Sequence, residues 1–169
     1  MKKKRRKSAL PAINDRISFL MHRIDAQLAA ICTPHFRHLD VVLHQSRMLV
    51  ILLESGPVRV SDLVQRMVLP QSTISHQLRE LEKRALVSRK SDKNDSRATI
   101  IQLTTKGRRT AEQCNALSTE IYQTMVESLS NTEIERLRAQ LRDIFDRLEQ
   151  FRRRKASERG VRVTRSYSS

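Results

Sequence analysis

Short polar side chains at residues 71–79 are the first feature of this sequence that indicates a chemistry. Three apolar residues, Ile74, Leu78 and Leu81, recur in and just beyond this segment at the three- and four-residue spacing of a helix with one buried face. The intervening hydroxyl, amide, imidazole and guanidinium groups then lie on the other faces. Such groups at the start of a helix reach base edges in the DNA major groove and receive phosphate oxygens. The candidate DNA-binding residues of this helix are Gln71, Ser72, Thr73, Ser75, His76 and Arg79.

A charged loop follows this helix, between two short runs that are typical of strands. The runs span 86–90 and 98–103, and the segment between them has no apolar residue, which predicts a β-hairpin with a projecting tip. Lys93 and Arg97 are candidate DNA-binding residues at the tip, since arginine suits the negative potential of the minor groove. Asp95 is placed to brace the Arg97 guanidinium or the loop backbone. The helix at 71–84 follows a short helix predicted at 61–67, and the two have the proportions of a helix-turn-helix. A helix-turn-helix that continues into such a hairpin is a winged helix.

Helices predicted from hydrophobic periodicity surround this unit. Pro34 is expected to end the first of them, with a connector at 34–43. Ser130-Asn131-Thr132-Glu133 is a capping box at the start of the last helix. The apolar stripe of that helix, expected to face inward, consists of Ile134, Leu137, Leu141, Ile144 and Leu148. The predicted helices are 11–33, 45–55, 61–67, 71–84, 105–129 and 131–151, with a β-like segment at 58–60.

The charge distribution indicates a polyanionic partner. The formal net charge is +15. Positive charge is concentrated in 2–7, with six bases and no acid, in 59–109, with twelve bases and five acids, and in 152–169, with seven bases and one acid. Basic tails are explained equally well by solubility, so the central segment carries the argument for a nucleic acid.

Composition excludes several other classes of protein. With three glycines and no nucleophile elbow or His-Glu-x-x-His pattern, we expect neither an enzyme nor a bound cofactor. No run approaches the roughly 18 apolar residues of a membrane span, so no membrane association is expected. Cys32 and Cys114 form no disulfide framework, which favours the cytoplasm and, for a DNA-binding protein, the nucleoid.

Residues 56–107 resemble the DNA-binding module of the MarR family of multiple-antibiotic-resistance regulators. The most specific motif is the wing pattern Asp92-x-x-Asp95-x-Arg97, followed by Leu103-Thr104-x-x-Gly107. Segments 61–64, 71–75 and 78–87 also match. The helices on either side follow the family's layout, so the resemblance covers about residues 12–150.

The resemblance implies a mainly α fold with a small β-hairpin wing. In the domain 11–151, a winged helix-turn-helix is flanked by dimerisation helices at about 11–33 and 105–151. The implied function is a homodimer that binds palindromic double-stranded DNA, as a repressor or as an activator or anti-silencer. The residues placed against bases are Gln71, Ser72, Thr73 and His76, with Arg97 in the minor groove. Residues 1–10 and 152–169 are expected to be a disordered basic arm and tail.

The chain departs from the family's pattern around the recognition helix. Val68 stands where the turn commonly has glycine, and Pro70 where a serine or threonine cap is usual. His76 occupies a position often filled by arginine, and Ala85 replaces the usual glycine after the helix. These differences are compatible with the fold and leave the operator sequence open.

The signal that controls DNA binding also stays open. The resemblance favours a small phenolic or aromatic effector bound between the dimer helices and the winged module. Cys32 is a candidate redox sensor, as first-helix cysteines are in the peroxide-sensing branch of the family. A metal is the third alternative, with weak candidate ligands Cys32, His35, His38, His44 and Cys114.

Two other functions compete with that of a sequence-reading regulator. Residues 75–78, Ser-His-Gln-Leu, also resemble the ArsR family of metal-responsive repressors, whose wing lacks the Asp-x-x-Asp-x-Arg pattern. A non-specific nucleic-acid-binding or architectural protein is the second competitor, because basic tails bind any polyanion. The recognition helix and the wing together favour base reading over both.

Overall fold

The computed structural model of the chain describes residues 10–92, 95 and 98–158. Within these residues, six helices and three short strands follow a 3₁₀ turn at Ile13–Asp15, and the predicted class, mainly α with a small β-hairpin wing, is confirmed. The helices are α1 Ile17–His38, α2 Leu43–Ser55, α3 Val60–Met67, α4 Gln71–Lys83, α5 Thr105–Val126 and α6 Asn131–Glu158. The strands are β1 Val58–Arg59, β2 Val87–Ser91 and β3 Thr99–Leu103.

The three strands form one antiparallel sheet in the order β1-β3-β2. Val87 pairs with Leu103 and Ser91 with Thr99, which makes β2 and β3 the two arms of the predicted hairpin. Val58 pairs with Ile101 of the central strand, so the β-like segment before α3 supplies the third strand. Ile101 is fully buried and anchors the sheet against the helices.

The core lies beneath α4 and the sheet. The apolar face of α2 carries Met48, Leu49 and Leu52 into it, and α5 adds Ala111 and Cys114 from the other side. The members contributed by α3 and α4 are Leu63, Ile74, Leu78 and Leu81, all fully buried. The three on α4 leave only polar and charged residues to fill its outer faces, which is the pattern that the sequence spacing predicted.

A close approach between α5 and the start of the wing fixes the direction of the hairpin. A Cβ placed on Gly107 would lie 1.7 Å from the carbonyl oxygen of Leu86, so only glycine fits there. The same oxygen accepts a hydrogen bond of 3.1 Å from the Thr104 N–H. Thr104 also caps α5, because its hydroxyl accepts from the Gly107 N–H at 2.9 Å.

The predicted end of the first helix at Pro34 is wrong. The helix continues through this proline to His38, and residues 39–42 form the connector. Proline deprives the Ala30 carbonyl of its helical donor, at a typical cost of about 3 kcal/mol. Two residues later, the burial of Phe36 against the core offsets this cost, and its carbonyl oxygen accepts from the N–H of Val41 at 3.0 Å.

The predicted surroundings and end of the last helix are also wrong. The capping box is present, with Ser130 and Glu133 exchanging hydrogen bonds. The helix then runs to Glu158, because pairs such as Arg153 to Glu149 at 2.9 Å support its last turns, so residues 152–158 are not part of a tail. No residue of this helix is buried, and its apolar stripe is largely exposed.

Candidate nucleic-acid interface

The polar residues of α4 lie on its outer side, as their spacing predicted. Gln71, Ser72, His76 and Arg79 are exposed, and Thr73 and Ser75 are half-buried beside the core face. Burial of Ile74, Leu78 and Leu81 prevents the helix from rotating these groups inward. Hydrogen-bond donors and acceptors therefore line the N-terminal end and one side of α4, and a helix of this kind fits into a major groove.

The N-terminus of α4 presents unpaired backbone donors. Pro70 occupies the cap position and makes no side-chain hydrogen bond to the helix, although its carbonyl accepts from Ile74 N–H at 3.1 Å. The N–H groups of Gln71, Ser72 and Thr73 lie outside the hydrogen-bond ladder of the helix, as the first amides of any helix do. No acidic residue stands in the first turn. The positive end of the helix dipole is therefore open to an anion such as a phosphate.

The charged residues in the second half of α4 are mostly paired. Lys83 donates to Glu80 at 2.9 Å, and that hydrogen bond lowers the pKa of the Glu80 carboxyl. Glu82 accepts from Arg89 of the wing at 2.9 Å. Within the described part of the chain, Arg79 donates to a backbone oxygen, that of Ser75, at 3.3 Å and makes no ion pair. Its exposed positive charge therefore stays available to a phosphate.

The base of the wing is tied to the sheet by an ion pair that the sequence analysis missed. The guanidinium of Arg59 on β1 lies 2.7 Å from a carboxylate oxygen of Asp92, whose side chain is only 11% exposed. The sequence indicates Asp92 only as the first acid of the wing motif and predicts Asp95 as the residue that braces the loop. The strand-like segment 58–60 contains this arginine, but its pairing with the hairpin, which brings Arg59 to Asp92, is seen only in the structure.

The tip of the wing is only partly described. The carbonyl of Asp95 accepts from Ala98 N–H at 2.9 Å, and Asp92 N–H donates to the Ala98 carbonyl at 2.9 Å. These two bonds close the loop at its base. The other two wing candidates, Lys93 and Arg97, lie outside the described residues.

The candidate metal and redox residues are not brought into one site. Cys32 and Cys114 are buried, whereas His35, His38 and His44 are exposed. Among the described residues, no three histidine, cysteine or acidic side chains are grouped to hold a metal ion. Burial and the nearby Cys32 raise the pKa of Cys114 to about 11, and burial also raises the pKa of Cys32 against the opposing charge of Arg47. Both shifts disfavour the reactive thiolate.

Two cavities lie along α1 and α5. The larger, about 560 Å³, is lined mainly by apolar residues such as Leu20, Ile24 and Met125. The smaller, about 270 Å³, lies between α1, α2 and α5 beside Cys32. It combines apolar walls with one cation and two hydroxyl groups, those of Arg47, Ser118 and Tyr122.

Known proteins resemble this chain in sequence and in architecture. The sequence profile of the MarR family matches residues 43–99. The HTH-type transcriptional regulator TcaR of Staphylococcus aureus is 29% identical over 146 residues, covering 82% of this chain and 95% of the relative. Over these ranges the chain is similar to proteins of the MarR family. TcaR is named as a transcriptional regulator, and the fold that this chain shares with the structures below is a winged helix-turn-helix.

Solved structures of the family agree with the fold. MepR of S. aureus in its DNA-binding conformation superposes with a TM-score of 0.75 at 27% identity, covering 79% of this chain and 98% of MepR. A putative MarR-family regulator from Listeria monocytogenes, complexed with a 26mer DNA, gives a TM-score of 0.77 at 21% identity, covering 90% and 99%. None of the described helices of this chain has the length and apolar character needed to cross a membrane.

Proposed function

We propose that this chain is a homodimeric repressor that reads a palindromic operator through α4 and the wing. The observation that carries the proposal is the exposed polar row of α4, held outward by three fully buried residues on its opposite face. In each half-site, the bases would be contacted by Gln71, Ser72, Thr73 and His76, and phosphates by Ser75 and Arg79. A protein bound across a promoter blocks the polymerase, so repression is the simplest outcome.

Exposed apolar residues on the outer helices support the homodimer. Ile17 on α1 is 60% exposed, Met125 on α5 56% and Leu148 on α6 60%. Apolar surface of this extent on a folded protein marks an interface. An interface between two identical copies is usually two-fold symmetric, and it would present two α4 helices to the two halves of a palindrome.

The wing would complete each half-site. We assign Lys93 and Arg97 to the minor groove on the strength of the family motif, and the ion pair between Arg59 and Asp92 would hold the hairpin that carries them. Asp95 stays the proposed brace of the tip. Titration of the promoter DNA from upstream of this gene, against a scrambled duplex at about 150 mM salt, tests the assignment.

The binding experiment uses three substitutions and one shortened chain. Arg97→Ala and Arg79→Ala should each weaken promoter binding about tenfold, whereas Arg142→Ala on α6, which removes the same charge elsewhere, should leave it within about twofold. A chain trimmed to residues 8–158 should keep its preference for the promoter. Equal binding of both duplexes that disappears on trimming would instead establish a non-specific nucleic-acid binder.

A small phenolic or aromatic acid is the effector that we propose. The 270 Å³ cavity has apolar walls for a ring, with Arg47 for a carboxylate and Ser118 and Tyr122 for a hydroxyl. Such a ligand weakens DNA binding if it prefers a spacing of the lobes that does not fit DNA. Salicylate is the probe: it should raise the melting temperature of the wild type and not of Arg47→Ala. An equal rise in both would exclude Arg47 from the site.

A further inference from the structure

A buried side-chain amide in the first turn of α2 contacts α4, the proposed recognition helix, at two points. The Gln45 side chain is 4% exposed and makes three hydrogen bonds. Its amide nitrogen donates to Oε1 of Gln77 at 2.8 Å, and its Oε1 accepts from Arg84 Nη2 at 2.7 Å. The same oxygen accepts from the Val42 N–H at 3.1 Å, which anchors the amide to the N-terminus of its own helix.

The two partners of this amide define the orientation of α4. Gln77 lies in the middle of the helix, next to the candidate base contact His76, and Arg84 is the residue at its C-terminal end. Seven residues of helix separate them, a rise of about 10 Å. Attachment at two such points resists both rotation of α4 about its axis and tilt of its exposed face.

The neighbouring ion pair is a weaker constraint on Arg84. Asp40 lies 3.5 Å from the Arg84 guanidinium, but its side chain is 88% exposed, so solvent screens the pair. The bond from Arg84 to Gln45 is shorter, has a charged donor, and ends on a buried acceptor, which makes it the stronger of the two. Arg84 in turn donates to the Glu80 carbonyl at 3.1 Å, so its position is transmitted to the last turn of α4.

We propose that Gln45 is a positioning residue that sets the orientation of α4 for base reading. The proposal rests on the proposed function, in which α4 contacts the bases. Hydrogen bonds to base edges require placement to within about half an ångström, whereas attraction to phosphates tolerates larger shifts. Loss of the Gln45 bonds therefore reduces discrimination between DNA sequences more than it reduces attraction to DNA.

The test compares variants on a duplex that wild-type protein selects from a randomised pool, and on a scrambled duplex. Gln45→Leu should bind the selected duplex about tenfold more weakly, and the scrambled duplex within about twofold of wild type. Gln45→Glu should stay within about twofold on both, because a carboxylate still accepts from Val42 and Arg84 and the Gln77 amide can turn to donate. Gln113→Leu, the same change on an exposed position of α5, is the matched control.

The outcomes separate this proposal from the one it rests on. If wild type enriches a duplex and Gln45→Leu binds that duplex as tightly as wild type does, the positioning role of Gln45 is overturned and the proposed function is not. Equal weakening on both duplexes also overturns it, since that result reports a lower folded fraction. A pool from which wild type enriches no sequence overturns the proposed function itself. If Gln45→Leu does not fold, Gln77→Met removes one of the two bonds to α4 and keeps that to Arg84, and a smaller loss of discrimination is expected.

Discussion

The winged module and the outer helices carry similar apolar stripes but use them differently. In the module, Leu78 of α4 is fully buried in the core, whereas Leu148 of α6 is 60% exposed. Helical periodicity indicates in both cases which face is apolar. It does not indicate whether the covering surface belongs to the same chain or to another one. The core of the module is closed within one chain, whereas the outer helices keep exposed apolar residues that the proposed dimer would cover.

The largest expected effect distinguishes the two leucines directly. Leu78→Ala leaves a cavity in a closed core and should lower the free energy of unfolding by about 3 kcal/mol. Leu148→Ala should change it by less than about 0.5 kcal/mol in protein diluted until it is monomeric. Urea unfolding followed by circular dichroism measures both. Equal losses at the two positions would mean that α6 belongs to the core of its own chain.

The two sides of α5 should differ in thiol reactivity. Because its pKa is raised to about 11, Cys114 should carry about 100-fold less thiolate at pH 8 than a cysteine with the ordinary value of 9.0. Iodoacetamide should therefore label it far more slowly than the cysteine introduced by Gln113→Cys, with Cys32→Ser in both proteins. Comparable rates would show that the face carrying Cys114 is open.

The same shift gives the sign of a pH effect on stability. The folded state holds the Cys114 proton more tightly than the unfolded state does, so the corresponding stability is present below pH 9 and is lost as the pH rises through about 11. The redox alternative for Cys32 needs the opposite arrangement, a lowered pKa with solvent access. The structure therefore favours a packing role for both cysteines.

A charge on the exposed stripe should break the proposed dimer. Leu148→Asp would place an unpaired carboxylate in an apolar interface and should raise the dimer dissociation constant at least tenfold, measured by analytical ultracentrifugation. Gln150→Asp adds the same charge to an exposed position two residues away and should have little effect. Unchanged association of Leu148→Asp would remove α6 from the interface.

The smallest expected effect concerns the turn before α4. Val68 has a φ of 53°, a left-handed conformation that a β-branched residue adopts only at a cost. Val68→Gly should raise the free energy of unfolding by about 1 kcal/mol, and Val68→Ala by clearly less, since alanine keeps a Cβ. Thermal melting of the three proteins provides the comparison. Equal effects would indicate lost side-chain contacts rather than relieved strain.

Local signals predicted most of the elements that position the candidate site. The bounds of α4, the strands of the wing and the capping box at Ser130 depend on residues close in sequence, and they were predicted to within a few residues. The continuation of α1 past Pro34 was not, because it depends on the burial of Phe36 against distant parts of the chain. Helix propensity alone cannot weigh such a contact.

The contacts that hold the site were beyond the reach of the sequence. The bond between Gln45 and Gln77 spans 32 positions, and that between Arg59 and Asp92 spans 33. No motif marks Gln45 or Gln77, and the wing motif that contains Asp92 does not indicate Arg59 as its partner. These contacts become visible only when the core has fixed which elements are neighbours.

The central claim is that two copies, joined by their outer helices, read one operator with two α4 helices. Hydroxyl-radical footprinting of the selected duplex, with the mass of the complex measured by ultracentrifugation, tests it most directly. The account predicts two chains per duplex and two protected half-sites whose centres lie about one or two turns of DNA apart. One chain per duplex, or protection spread evenly along any DNA, would contradict it.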